Sequence, residues 1–130
     1  MSLVKITLGD GILTVEPTGM HRWLALKSHI SVPVRNIIAV DREIPDYGWN
    51  ERIWKMFRVG AHAPGVYQAG TFHKLGGGTR WKEFWVVRHP ENAIRILLRN
   101  SRYDALIVEV DDPDAWIARV GAAIGKETAT

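Results

Sequence analysis

Ala93-Ile94-Arg95-Ile96-Leu97-Leu98-Arg99, then Asp104-Ala105-Leu106-Ile107-Val108-Glu109-Val110, then Asp111-Asp112-Pro113-Asp114 and the run Ala115-Trp116-Ile117-Ala118-Arg119-Val120-Gly121-Ala122-Ala123-Ile124 decide the fold class. The first two stretches read as strands. Ile94, Ile96 and Leu98 alternate with Arg95 and Arg99, and Leu106, Val108 and Val110 form the matching face of the return strand. The third stretch is the one long apolar-periodic run. Trp116, Val120 and Ile124, with Ile117 and Ala123, make one stripe at helical spacing. Asp111 or Asp112 can cap it, Pro113 suits its first position, and an acidic first turn complements the helix dipole. Gly125 is expected to stop the helix and residues 126–130 to fray. Short strands followed by one terminal helix predict a mainly β body capped by that helix.

Working outward, residues 4–8 and 12–16 alternate around Gly9-Asp10-Gly11, a hairpin signal. After Pro17-Thr18-Gly19, residues 20–27 read as a strand. Residues 30–34 are a short extended piece whose Pro33 confines it to an edge or bend, and residues 37–42 read as another strand. Residues 66–73 and 81–89 flank Leu75-Gly76-Gly77-Gly78-Thr79 and predict a hairpin with a glycine tip. Residues 50–58 differ. Trp49, Ile53 and Phe57 recur at helical spacing with Arg52, Lys55 and Arg58 between them, which predicts a short basic, aromatic helix or ordered loop.

At 130 residues the chain is expected to be one domain, with its core over about residues 12–124. No cysteine is present, so disulfides, thiol chemistry and Cys-ligated zinc are excluded. No apolar run approaches the ~18 residues of a membrane span, and no basic head precedes an apolar stretch at the start. A cytoplasmic protein without an integral membrane segment is therefore the expectation. Charge is uneven. Residues 20–102 carry 14 Lys/Arg against 6 Asp/Glu, whereas residues 103–130 carry 2 against 6. A basic body beside an acidic cap accounts for this, and so does a basic face that meets an anionic partner.

Catalytic and cofactor signatures are missing. No HxH or HExxH joins His21, His29, His62, His73 and His89, and no serine sits in GxSxG. Gly76-Gly77-Gly78-Thr79 lacks the Gly-Lys-Ser/Thr of a phosphate loop. Asp111, Asp112 and Asp114 lack the glycine and distal glutamate of a calcium loop. The expectation is a chain with no metal, no cofactor and no nucleic-acid partner, and not an enzyme. A small enzyme assembled from distant groups such as His21, His73, Arg35 and Asp41 is the least favoured alternative. The candidate interaction surface is Trp49, Arg52, Trp54, Lys55, Phe57 and Arg58, since interleaved aromatic and basic residues are what protein hot spots and membrane interfaces use. The same aromatics could instead plug one end of the sheet body.

Two passages together resemble the bacterial pleckstrin-homology-like (PH-like) domains. One is Gly19-Met20-His21-Arg22-Trp23-Leu24-Ala25-Leu26-Lys27, leading into Ile30-Ser31-Val32-Pro33 and Ile37-Ile38-Ala39-Val40. The other is Gly70-Thr71-Phe72, Phe84-Trp85-Val86-Val87, Ala93-Ile94-Arg95-Ile96 and Leu106-Ile107-Val108-Glu109-Val110-Asp111-Asp112-Pro113. The resemblance covers roughly residues 12–124. It implies a barrel of two near-orthogonal antiparallel sheets with the terminal helix closing one corner. It implies no particular activity, because such folds host many partners. Phosphoinositide-binding relatives use a Lys/Arg cluster in and beside the first long hairpin. Here Pro17-Thr18-Gly19, His21 and Arg22 lack that repeated-basic pattern, so specific inositol-lipid binding is not expected. The resulting expectation is a binding module for a protein partner or for a second copy of itself. Peripheral binding to anionic membrane surfaces is the alternative.

Overall fold

A computed structural model describes residues 4–18, 29–43, 56–63, 67–76 and 79–129, with side chains over 4–18, 29–43 and 81–126. Among the described residues the fold is mainly β, with two sheets and one C-terminal helix. β1 (Val4–Gly9), β2 (Ile12–Pro17) and β3 (Ile30–Pro33) form a three-stranded antiparallel sheet in that order. Its hairpin turns at Asp10 and Gly11, with φ of 54° and 73°. Two successive left-handed residues match the right-handed twist of the flanking strands, which is why Asp-Gly occupies the turn. β3 lies at the sheet edge, as Pro33 requires.

The second sheet has six strands. β4 (Ile37–Asp41), β5 (Met56–Ala63), β6 (Tyr67–Gly76), β7 (Thr79–Val87), β8 (Ala93–Leu98) and β9 (Ala105–Glu109) are ordered β4-β8-β9-β7-β6-β5. The expected hairpin is β6–β7, closed between Gly76 and Thr79. The strand expected over residues 20–27 lies outside the described residues.

Four expectations need correction. The sheets are not wholly antiparallel, because β9 runs parallel to β7 while pairing antiparallel with β8. After β7 the chain leaves a strand-wide gap, makes β8, and returns as β9 to fill that gap. Nor, among the described residues, does any ladder join the two sheets into a closed barrel. The helix α1 (Pro113–Ala129) runs through Gly125 and most of the expected tail. Glycine costs a helix interior only ~1 kcal/mol, and Lys126, Glu127 and Ala129 favour its continuation. Lastly, Met56, Phe57 and Arg58 do not end a helix or loop but open β5. Pairing of eight residues with β6 outweighs the 3.6-residue spacing of the aromatics.

One core holds Leu13, Val15, Val32, Phe84, Val86, Ile94, Ile96, Leu106, Val108 and Val120, joining both sheets to α1. Trp116, Ile117, Ala123 and Ile124 pack against it as the stripe predicts. Asp112 caps the helix, its Oδ1 accepting from the Ala115 N–H at 3.3 Å. A second buried layer, Trp85, Val87, Ala93, Ala105 and Ile107, covers the opposite face of the large sheet. β9 is therefore buried on both faces, which explains its unbroken apolar run.

Candidate functional site

Of the predicted surface, Trp49, Arg52, Trp54 and Lys55 lie outside the described residues. Phe57 and Arg58 stand on β5, in register with His73 and Phe72 of β6. β5 is the terminal strand of the large sheet. The other terminal strands are shorter and, in two cases, visibly blunted. β3 has four residues and ends in Pro33. β4 has five, is bulged between Ile37 and Ala39, and touches α1. β1 has six and carries exposed Lys5 and Thr7. β5 has eight residues and no proline.

The described members of the dispersed set are not brought together. Arg35 and Asp41 flank β4 at opposite ends, His73 is on β6, and His21 is outside the described residues. Asp41 is already engaged. It accepts Arg95 Nε at 3.0 Å and Nη2 at 2.8 Å, and the Glu43 N–H at 3.0 Å, while Arg95 Nη2 also reaches Glu43 at 3.1 Å. Burial pushes the Asp41 carboxyl up, but the Arg95 and Glu43 bonds outweigh it and hold the pKa below the usual carboxylate value. The bond to Asp41 in turn raises that of Arg95.

Two buried carboxylates escaped the sequence reading. Glu83, 2% exposed, accepts the indole N–H groups of Trp81 at 2.8 Å and Trp85 at 2.9 Å. The alternation Trp81-Lys82-Glu83-Phe84-Trp85 puts all three on one face and was the available signal. Glu109, 5% exposed, accepts the backbone N–H of Arg88 at 2.9 Å and that of His89, and its other oxygen lies 3.4 Å from His89 Nδ1. It lines a polar cleft of about 350 Å³ with Arg88, His89, Asn92, Val110, Asp111 and Asp112. Here the signal was an acid at an interior position of an apolar run.

At the opposite end of β9 the charge is positive. Arg99 and Arg102 lie in the β8–β9 turn, Arg35 in the 3-10 turn Val34–Asn36, and Lys82 on β7. The two turns are joined: the Arg99 N–H donates to the Asn36 carbonyl at 2.8 Å, Arg99 Nε to the Arg35 carbonyl at 3.2 Å, and Asn36 Nδ2 to the Asn100 carbonyl at 3.4 Å. Lys82 Nζ sits 4.9 Å over the Tyr103 ring, which is buried and meets the Phe84 ring in a tilted pair with centroids 5.7 Å apart. Beside them His29, Ile30, Ser31, Ser101, Arg102 and Tyr103 line a crevice of about 200 Å³.

Among the described residues no helix is long and apolar enough to cross a membrane, and no group of three or more His, Cys, Asp or Glu could hold a metal ion. No protein-family model, curated protein or solved structure matches this chain.

Proposed function

We propose that this chain is a non-catalytic interaction module of PH-like architecture, and that a protein partner adds a strand to its sheet at β5. The β-rich body with one helix packed on it supports the architecture. The observation that carries the function is the outer edge of β5, which no strand among the described residues pairs. Sheet edges are templates for another strand, and natural proteins blunt them with bulges, prolines, short length or a covering helix. The edges at β3 and β4 carry such devices. β5 is the longest edge strand and carries none of them among the described residues. It also follows directly on Trp49, Arg52, Trp54 and Lys55, aromatic and basic residues suited to anchoring a partner beside a strand-addition site.

Hydrogen exchange on the isolated protein tests this. Alternate N–H groups of Met56–Ala63 should exchange as fast as unpaired amides, and the rest should be protected by β6. Protection of all of them would mean that the chain covers its own edge, and the proposal would fall. Sedimentation velocity across a concentration range then asks whether the added strand is that of a second copy. Of Val59→Pro and Gly60→Pro, the substitution that removes an outward N–H should abolish association while leaving the β5–β6 ladder intact.

A further inference from the structure

We propose that Asp10-Gly11, the turn of the β1–β2 hairpin, is a modification site: its backbone isomerises to isoaspartate when the hairpin opens, and the closed hairpin neither permits nor accommodates that change. Aspartate before glycine is the pairing in which the next amide nitrogen reaches the side-chain carboxyl most freely, because glycine has no side chain to hinder it. Asp10-Gly11 is the one Asp-Gly in the chain, and no Asn-Gly occurs. Both residues are exposed, and among the described residues no hydrogen bond or ion pair ties down the Asp10 carboxylate. In the reaction the Gly11 nitrogen gives its proton to solvent and attacks Cγ of the protonated Asp10 carboxyl. The N–Cγ bond forms, a C–O bond breaks and water leaves, closing a cyclic imide. Water then adds to the Asp10 main-chain carbonyl carbon and its C–N bond breaks, so the chain runs on through Cβ and Cγ. The mass is unchanged and no co-reactant but water is used.

Conformation decides whether the nitrogen reaches. Asp10 and Gly11 have φ of 54° and 73°, and two successive positive values in a two-residue hairpin define a type I′ turn. The left-handed region carries ψ of about +30 to +60°, which sets the Gly11 nitrogen anti to Asp10 Cβ across the Cα–C bond. Ring closure needs the nitrogen on the same side as Cβ, at ψ of about −120°, the value at the first central position of a type II′ turn. Asp10 cannot rotate there while β1 and β2 stay paired up to Gly9 and Ile12, with the Val34 N–H holding the Gly11 carbonyl at 2.8 Å. Local opening releases it. Once formed, the extra backbone carbon does not fit a two-residue turn. Buried Val34, in the 3-10 turn that packs on α1, then loses its acceptor.

Ageing the full chain at pH 7.5, in native buffer and in guanidinium chloride, tests the site. The tryptic peptide of residues 6–22 is separated into aspartyl and isoaspartyl forms. The native chain should isomerise at least tenfold more slowly than the denatured one, and the ratio should follow the hydrogen-exchange protection of the β1–β2 amides. Val4→Ala thins the packing of β1 without touching the turn. It should speed the native reaction and leave the denatured rate unchanged. Isomerised protein, isolated and refolded, should melt several degrees below the parent. A native rate equal to the denatured rate, a native rate that Val4→Ala leaves unmoved despite a lower melting temperature, or an isomer that melts with the parent would overturn the proposal. None of these results depends on the edge of β5.

Discussion

Asp104 and Lys82 bond each other twice: the Asp104 N–H donates to the Lys82 carbonyl, and the Lys82 N–H donates to the Asp104 carboxylate, each at 2.7 Å. At the far end of the same strand Glu109 accepts the N–H groups of Arg88 and His89. β9 is thus bracketed by two carboxylates: Asp104 clasps the backbone of β7, and Glu109 the two residues that follow it. Parallel pairs are slightly weaker per residue than antiparallel ones, and here side chains at both ends supplement the ladder. The bracket gives a physical reason why β9 settles beside β7 instead of at the outside of β8.

Removing either clasp should therefore loosen β9. Glu109→Ala leaves two part-buried N–H groups without their acceptor at the edge of the cleft and should cost about 1–2 kcal/mol. Asp104→Ala, half-buried, should cost about 1–2 kcal/mol. The two residues are separated by the length of β9, so the double variant should lose close to the sum. Urea denaturation checks both the size and the additivity. A double variant no worse than Glu109→Ala would mean that the two ends do not act independently.

The Asp41–Arg95 pair fixes β8 against β4 and carries a pH signature. The folded pKa of Asp41 lies below its ordinary value. Its stabilisation is therefore complete above the unfolded-chain pKa, about 3.9, and is lost as pH falls through the lower folded value. Asp41→Asn should cost about 1 kcal/mol at pH 7, modest because both groups are partly solvated. The gap between wild type and variant should stay constant down to about pH 5 and close in stronger acid. Urea midpoints from pH 2 to 7 measure it, and a gap that widens in acid would contradict the assignment.

Local signals in the sequence are legible where one residue type or one period decides the outcome. Asp10-Gly11 gives the turn, Pro33 the edge, Ile94/Ile96/Leu98 the buried face of β8, and the Trp116/Val120/Ile124 stripe the packed helix. What stayed hidden is non-local. Alternation reveals which side of β9 faces a core but not that the other side is buried as well, nor that β7 and not only β8 is its neighbour. Phe57 and its preceding aromatics have a helical period, yet pairing with β6 sets Met56–Arg58 as strand. The basic end combines Arg35, Lys82, Arg99 and Arg102 from three separate stretches. Only the excess charge of residues 20–102 hinted at it.

The β1–β2 turn offers a clean test of backbone conformation. Gly11 sits at φ 73°, where a Cβ is strained, so Gly11→Ala should cost about 1 kcal/mol or more. Asp10, at φ 54°, is a residue type that tolerates this region, and Asp10→Asn should be neutral within about 0.5 kcal/mol. Thermal melts of the two variants separate a left-handed requirement from a charge effect. A loss in Asp10→Asn as large as that in Gly11→Ala would mean that the Asp10 carboxylate itself supports the turn.

The aromatic-basic segment bears most directly on function. A tryptophan or phenylalanine that plugs a core costs about 3–5 kcal/mol when cut to alanine, enough to lower the melting temperature of a domain this size by several degrees. One that waits at a protein contact costs little in the free chain and much in the assembly. The strand-addition reading places Trp49, Trp54 and Phe57 in the second class. Their alanine variants should melt within a few degrees of wild type while weakening association through β5, whether with a second copy in sedimentation or with a partner strand in titration. Single-tryptophan variants add an independent readout, since Trp49 and Trp54 fluorescence should be quenched readily by iodide in the monomer and protected on assembly. Large losses of stability together with unquenched emission would assign these side chains to the interior and leave the edge of β5 without its anchors.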